Sequence, residues 1–248
     1  MADHSGIEWT EATWNPTTGC DRVSPGCLNC YAATMSKRLK AMGSEKYQAD
    51  GDPRTSGPGF KLTIHPDSLY LPKTWKQPRV VFVNSMSDLF HPDVPVKFIN
   101  DVFGVMRDTP QHTYQVLTKR SQRLRNLAPH LEWPTNVWMG VSIEHDKYRF
   151  RLSHLRIVPA AIRFLSLEPL LGPLPNLNLA GIHWVITGGE SGPNARRVEL
   201  GWIADIRDQC RTASVPFFFK QWGGRTPKAG GRELDGRTWD EMPSRRAV

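Results

Sequence analysis

Val80-Val81-Phe82-Val83 runs straight into Asn84-Ser85-Met86-Ser87-Asp88. The first four residues are β-branched or aromatic and too few for a helix, as in a strand buried on both faces; the five that follow are short and polar and end it. The same unit recurs down the chain. Residues 114–117 lead into Thr118-Lys119-Arg120, 137–141 into Ser142-Ile143-Glu144, and 162–167 into Glu168-Pro169. Residues 184–186 lead into Gly188-Gly189-Glu190-Ser191-Gly192, and 217–219 into Lys220-Gln221-Trp222. An earlier candidate, residues 7–14, precedes a loop with three cysteines. Helical patterns fall between several of these runs. Residues 94–107 put Val94, Phe98, Ile99, Val102, Phe103 and Met106 on one face, and 121–131, 147–157 and 201–213 are weaker versions. Alternating strands and helices predict an α/β fold with a mainly parallel sheet. Six or seven units predict a partial or complete TIM-like (β/α) barrel, with an open doubly wound sheet as the alternative.

That architecture has a consequence for the polar groups. In parallel α/β folds the carboxyl ends of all strands lie on one face, and sites form there. Asp88, Lys119, Glu144, Glu168 and Glu190 would then ring one mouth, where carboxylates and a lysine can bind polar groups or move protons. Gly188-Gly189 would let the backbone approach a ligand closely. Loops are polar for solvation alone, so no single residue decides this. Lys119, beside Arg120, Arg123 and Arg125, also reads as a solvated charge.

The chain has 248 residues, 39% hydrophobic and 23% charged, which excludes a disordered segment and suits one large or two small domains. No apolar run is long enough to cross a membrane, and the start, Met1-Ala2-Asp3-His4-Ser5-Gly6, has no secretory pattern, so a cytoplasmic protein is expected. The charge of +8 favours a polyanionic partner such as nucleic acid. The barrel is expected over residues 1–222, with an irregular Gly- and Pro-rich insertion or lid at 43–79. Residues 223–248 read as a loosely packed basic extension carrying Trp239 and Arg225, Lys228, Arg232, Arg237, Arg245 and Arg246, interleaved with acids.

Three of the four cysteines, Cys20, Cys27 and Cys30, lie within eleven residues, whereas Cys210 falls among Trp202, Ile203 and Ile206 as a small buried hydrophobe. A cluster of three thiols in an intracellular chain reads as metal or redox chemistry rather than a disulfide framework. Pro25-Gly26 turns the chain before Cys27, and one tight Cys-x2-Cys loop can aim two thiolates at one centre. Structural zinc wants four protein ligands, and no histidine has the matching spacing. Three thiolates on an iron–sulfur cubane leave one iron open to a small ligand, which favours iron–sulfur over zinc.

Asn15-Pro16-Thr17-Thr18-Gly19-Cys20 followed by Gly26-Cys27-Leu28-Asn29-Cys30-Tyr31-Ala32 resembles the radical S-adenosylmethionine enzymes, in particular the spore photoproduct lyase branch. From Trp9 to about Trp239 the chain is similar to a phage-associated family with this three-cysteine block. The resemblance implies a partial barrel with the cluster in the loop after the first strand, and Cys20, Cys27 and Cys30 as ligands of a [4Fe–4S] cluster. The open iron would take the amino and carboxylate groups of S-adenosylmethionine. Its reductive cleavage, fed by an external electron donor, would give a 5′-deoxyadenosyl radical that abstracts hydrogen from substrate. The superfamily's usual spacing is Cys-x3-Cys-x2-Cys; here the first gap is three residues longer, and Asn29 stands where an aromatic usually precedes the last cysteine. The superfamily's Gly-Gly-Glu lies near the second strand and is not equated with Gly188-Gly189-Glu190. Asn84, Ser85 and Asp88 are better placed for the amino group, with Ser142, Glu144, Gly188 and Gly189 as further cofactor-binding candidates. Tyr31 either covers the cluster or packs as a helix-start aromatic. Lys119, Glu168 and Glu190 are the candidate catalytic groups.

Three functions follow: a radical enzyme acting on a substrate such as a nucleic acid or nucleotide, a zinc-stabilised nucleic-acid-binding module, and a cluster-binding sensor or protein partner without turnover. Phe217 to Phe219 and Trp222 are expected in the core rather than as a stacking platform.

Overall fold

The computed structural model describes residues 5–226 and 229–244. In chain order the strands and main helices are β1 (Ala12–Trp14), β2 (Thr17–Thr18), α1 (Tyr31–Ala41), β3 (Thr63–Ile64), β4 (Val80–Val83), α2 (Val96–Asp108), β5 (Thr113–Thr118), α3 (Ser121–Leu127), β6 (Val137–Ser142), α4 (Phe150–Arg156), β7 (Ile162–Leu167), β8 (Trp184–Gly188), α5 (Leu200–Thr212) and β9 (Phe217–Gln221). Seven strands form one sheet in the order β1-β4-β5-β6-β7-β8-β9, and every neighbouring pair is parallel. β2 and β3 form a separate antiparallel pair.

The sheet curls into a half-barrel. Strands spaced about 4.8 Å apart would put β4 and β8, four positions apart, roughly 19 Å from each other on a flat sheet. Yet the Trp9 ring lies 4.7 Å from Phe82 of β4 and 6.2 Å from Trp184 of β8. One side chain bridges both strands because the sheet bends around it.

Alternation along the strands sorts the core into two parts. On the convex side Val81, Val83, Val116, Met139, Val141, Leu165, Val185, Phe217 and Phe219 meet Ile99, Val102 and Met106 of α2, Leu124 of α3, Leu152 of α4 and Ile203 and Ile206 of α5. On the concave side Trp9, Trp138, Ile162, Phe164, Trp184, Ile186 and Phe218 fill the amino-terminal half. Gly140 completes that plug, since a Cβ there would stand 2.5 Å from the Phe164 ring.

Several expectations are corrected. The first strand is only Ala12–Trp14; residues 7–11 form turns that deliver Trp9 into the plug. Helix α1 was not among the expected helices; its apolar side is narrow, with Ala32 buried and Met35 and Leu39 half-buried against Tyr47, Phe60 and Met86. The insertion is irregular, but it is not a detached lid: Leu69 joins the main core, and Tyr47 and Phe60 pack against Cys20 and Cys30. Residues 223–244 are not a loose tail either. Leu234 and Trp239 are buried in the main core, Phe219 N donates to Trp239 O at 2.9 Å, and Trp184 Nε1 to Glu241 O at 2.8 Å. Of the basic residues read there, Lys228, Arg245 and Arg246 lie outside the described residues. Phe217, Phe218, Phe219 and Cys210 are core, as expected.

Candidate metal and cofactor site

The cysteine loop is positioned by backbone-directed side chains. Past β1, Asn15 Oδ1 accepts from Met86 N at 3.0 Å and its Nδ2 donates to Ser85 Oγ at 3.2 Å. Thr17 N donates to Asn84 Oδ1 at 3.4 Å. Gly19 then crosses beneath the insertion at φ +83°, where a Cβ would stand 2.1 Å from Lys61 O. Only glycine makes that turn with that clearance. Gly19 N donates to Met86 O at 3.0 Å, and Ser87 Oγ donates to Gly19 O at 2.7 Å. Cys27 closes a 3-10 turn, Pro25–Cys27, and Cys30 caps α1. All three thiols are half-buried. Thus Asn84 and Ser85, read as ligand contacts, first serve to hold the strand-end loops of β1 and β4 together.

Cys20 sits in the most charged surroundings. Arg120 Nη1 donates to Cys20 Sγ at 3.4 Å, and Nη2 donates to Asp21 O at 3.2 Å. Arg120 Nη1 also lies 3.5 Å from Asp88 Oδ2. Asp88 is buried and fully engaged: Oδ1 accepts from Thr118 Oγ1 at 2.7 Å and from Phe90 N at 3.0 Å, and Oδ2 from Lys119 N at 3.1 Å. Burial pushes the Cys20 thiol up to about 12; Asp88, Cys27 and Cys30 push the same way, and Arg120 opposes them. On the loop's other side His91 Nδ1 accepts from Asp93 N, so its Nε2 carries the proton given to Asp21 Oδ2 at 2.9 Å. Burial raises the Asp21 carboxyl, but the bonds from Thr55 and His91 outweigh it and hold it below the usual range.

The loop reaches across the mouth to β6 and β8. Glu190 Oε2 accepts from Asn29 Nδ2 at 2.9 Å, Arg196 N at 3.0 Å and Arg196 Nε at 2.8 Å. Glu190 Oε1 accepts from Arg196 Nη2 at 2.5 Å, and the same Nη2 donates to Pro25 O at 3.0 Å. Burial raises the Glu190 carboxyl, but these bonds win and hold it low. Glu190 is therefore a strut for the cysteine loop. Gly26 lies on Glu144, where a Cβ would meet Glu144 Cδ at 3.2 Å. Glu144 is fully buried; its Oε2 accepts from Arg151 Nη1 at 2.9 Å, and Arg151 Nη1 also donates to Ser142 O at 2.8 Å. Glu144 Oε1 and Asn84 Nδ2 are buried without a hydrogen-bond partner.

On the concave face Glu168 Oε1 faces Lys220 Nζ at 3.3 Å. The space above the two glycines belongs to the protein: a Cβ on Gly188 would stand 2.9 Å from Glu168 Oε1, and one on Gly189 2.0 Å from Trp222 O. Lys119 is half-exposed, and Tyr31 is 60% exposed, so it is not packed in the core. Arg120, Arg151, Arg196 and Lys220 were not singled out as site residues by sequence. Arginines on solvated helices and loops look alike before folding, and their only signal was a place next to a strand-end carboxylate.

Does this constellation fit a metal cluster? Among the described residues, no three His, Cys, Asp or Glu side chains are gathered so as to hold a metal ion. A cubane places each thiolate on a different iron, so its ligands need not converge on a point. Three half-buried thiols in one loop, near enough that Cys27 and Cys30 act on the charge of Cys20, with a guanidinium bonded to one sulfur, suit thiolate donors. The donor chemistry fits an iron–sulfur cluster, and the two unpartnered polar atoms nearby fit a polar ligand beside it.

No curated protein matches the chain. Among solved structures, spore photoproduct lyase complexed with dinucleoside spore photoproduct is similar at a TM-score of 0.41 and 12% identity, over 70% of this chain. The chain spans 54% of the length of that protein. A family model described as a protein of unknown function (DUF5131) matches residues 4–243, and the chain belongs to that family.

Proposed function

We propose that the protein is an iron–sulfur enzyme of the radical S-adenosylmethionine type, with Cys20, Cys27 and Cys30 holding a [4Fe–4S] cluster. One observation carries the reading: three half-buried thiols lie on a single loop tied across the carboxyl-terminal mouth of a half-barrel, at Ser85 to Ser87, Glu144 and Glu190. Bound there, the cluster and S-adenosylmethionine would supply one-electron reductive cleavage of the sulfonium, with the electron from an external donor.

The chain's own residues do the rest. Asn84 Nδ2 is a buried free donor suited to a carboxylate, and Glu144 Oε1 a buried free acceptor suited to an amino or hydroxyl group. Each would lose its desolvation penalty on meeting such a partner, about 1–3 kcal/mol for a buried polar atom. Glu168 and Lys220 form an ion pair at 3.3 Å on the concave face above the aromatic plug, placed to bind polar groups of a substrate. The plug fills the amino-terminal end of the concave face, so the polar carboxyl-terminal end is the side open to a substrate. Lys119, whose side chain has no hydrogen-bond or ion-pair partner among the described residues, suits an anionic substrate group. Together with the charge of +8 it supports a nucleic acid or nucleotide as substrate.

Anaerobic reconstitution tests the reading. About four irons per chain are expected, the count a cubane requires, with adenosylmethionine cleaved after reduction. Cys27→Ala should lose the iron and the cleavage while keeping the far-UV spectrum of the fold. Colourless protein with one tightly held zinc would refute it.

A further inference from the structure

Arg120 lies nine-tenths out of solvent between three strand-end loops, with 9% of its side chain exposed. A guanidinium so placed beside a carboxylate ordinarily bonds it at roughly 2.7–2.9 Å. Here the approach to Asp88 is a long ion pair at 3.5 Å, and the same Nη1 donates to Cys20 Sγ at 3.4 Å. Asp88 leans on other donors more than on Arg120: Thr118 and Phe90 donate to Oδ1 and Lys119 N to Oδ2, all at shorter distances. Nη2 is used to hold the adjacent backbone at Asp21 O, at 3.2 Å, so the fork is aimed rather than free to turn. The arrangement is a cation bonded to a sulfur, with a fixed anion behind it.

We propose that Arg120 and Asp88 set the reduction potential of the metal centre held by Cys20, in opposite directions. The inference rests on the cluster reading above. Uptake of one electron adds one negative charge to the centre, with no bond made or broken at Cys20. An N–H donor and positive charge at a ligand sulfur stabilise that extra charge and raise the potential. The Asp88 carboxylate beyond it destabilises the charge and lowers the potential. Arg120 is thus a tuning residue that acts through the Cys20 sulfur it bonds.

The test is a redox titration with dithionite on reconstituted protein, followed by the electron paramagnetic resonance signal of the reduced cluster. Arg120→Met should move the midpoint to more negative values. Asp88→Asn, which keeps an oxygen acceptor, should move it to more positive values. Arg120→Lys keeps the charge but loses the two-pronged fork, and should fall between wild type and Arg120→Met. A purely structural role would not produce shifts of opposite sign. If Arg120→Met does not fold, Arg120→Lys and Asp88→Asn still decide the signs. Equal midpoints, or shifts of one sign, overturn this inference and leave the cluster reading standing; wild-type protein that takes up no cluster overturns both.

Discussion

The same strands build two unlike halves of the concave face. Toward their amino ends Trp9, Trp138 and Phe218 meet Trp184 edge to face and Phe164 meets it at a tilt, so Trp184 touches four other rings. Toward their carboxyl ends β7 and β9 present Glu168 and Lys220, while the β6 and β8 ends carry Glu144 and Glu190 beneath the cysteine loop. The lower half is mainly aromatic, with the buried Gln115 bonded to Trp9 O at 3.2 Å as a polar member, and gains stability from apolar burial. The upper half holds ions in partly dry surroundings, where each must be paired at a cost. Apolar packing and paired charge are thus stacked along one axis, a few residues apart on each strand.

The sharpest way to break this division is at its centre. Trp184→Ala should destabilise by about 3–5 kcal/mol, as large-to-small changes in packed cores do. Chemical denaturation measures it, and iron uptake by the remaining folded protein should be unchanged. A loss of uptake at temperatures where the variant is folded would mean the halves are not separable. Next comes Arg151→Met, which leaves the fully buried Glu144 carboxylate without its cation and should cost about 3 kcal/mol, the usual range for breaking a buried pair. A substantially smaller cost would show that water reaches Glu144 and that the upper half is wetter than its burial indicates.

The smallest effect is expected from Glu190→Gln, roughly 1–2 kcal/mol for weakening charge-assisted bonds at a partly exposed partner. Its pH dependence is diagnostic. A carboxyl held below its unfolded range stabilises above that range, and the stability drains away as pH falls through the folded value. The gap in melting temperature between wild type and Glu190→Gln should therefore be full at neutral pH and shrink as the pH drops below the ordinary glutamate range. A gap that stays constant into acid would assign the effect to packing rather than to the Arg196 and Asn29 bonds.

Much of the fold was legible because periodicity records burial. Residues 162–167 match β7 end to end, and α5 differs by one residue at each end from the expected 201–213. Helix α1 was harder to read, since its stripe is only Ala32, Met35 and Leu39 among polar and charged residues. For the site, the strand-end carboxylates could be named because they follow the periodic strands, and the cysteines because three lie within eleven residues. Their partners could not. Nothing local distinguishes Arg196, which braces Pro25 across 171 residues, from the exposed Arg197 beside it. Nor could the glycines be assigned: Gly189 reads as room for a ligand until Trp222 O is found filling the space.

A half-barrel, unlike a closed one, leaves two strands with an unpaired flank, a standing invitation to other chains. On β9 that flank is sealed from within. Phe217 N donates to Glu241 Oε2 at 2.9 Å and Phe219 N to Trp239 O at 2.9 Å. The final segment therefore works as a hem on the sheet. A chain cut after Trp222 would bare a phenylalanine-rich border and should self-associate, so the barrel's integrity ends at residue 241 and not at its last strand.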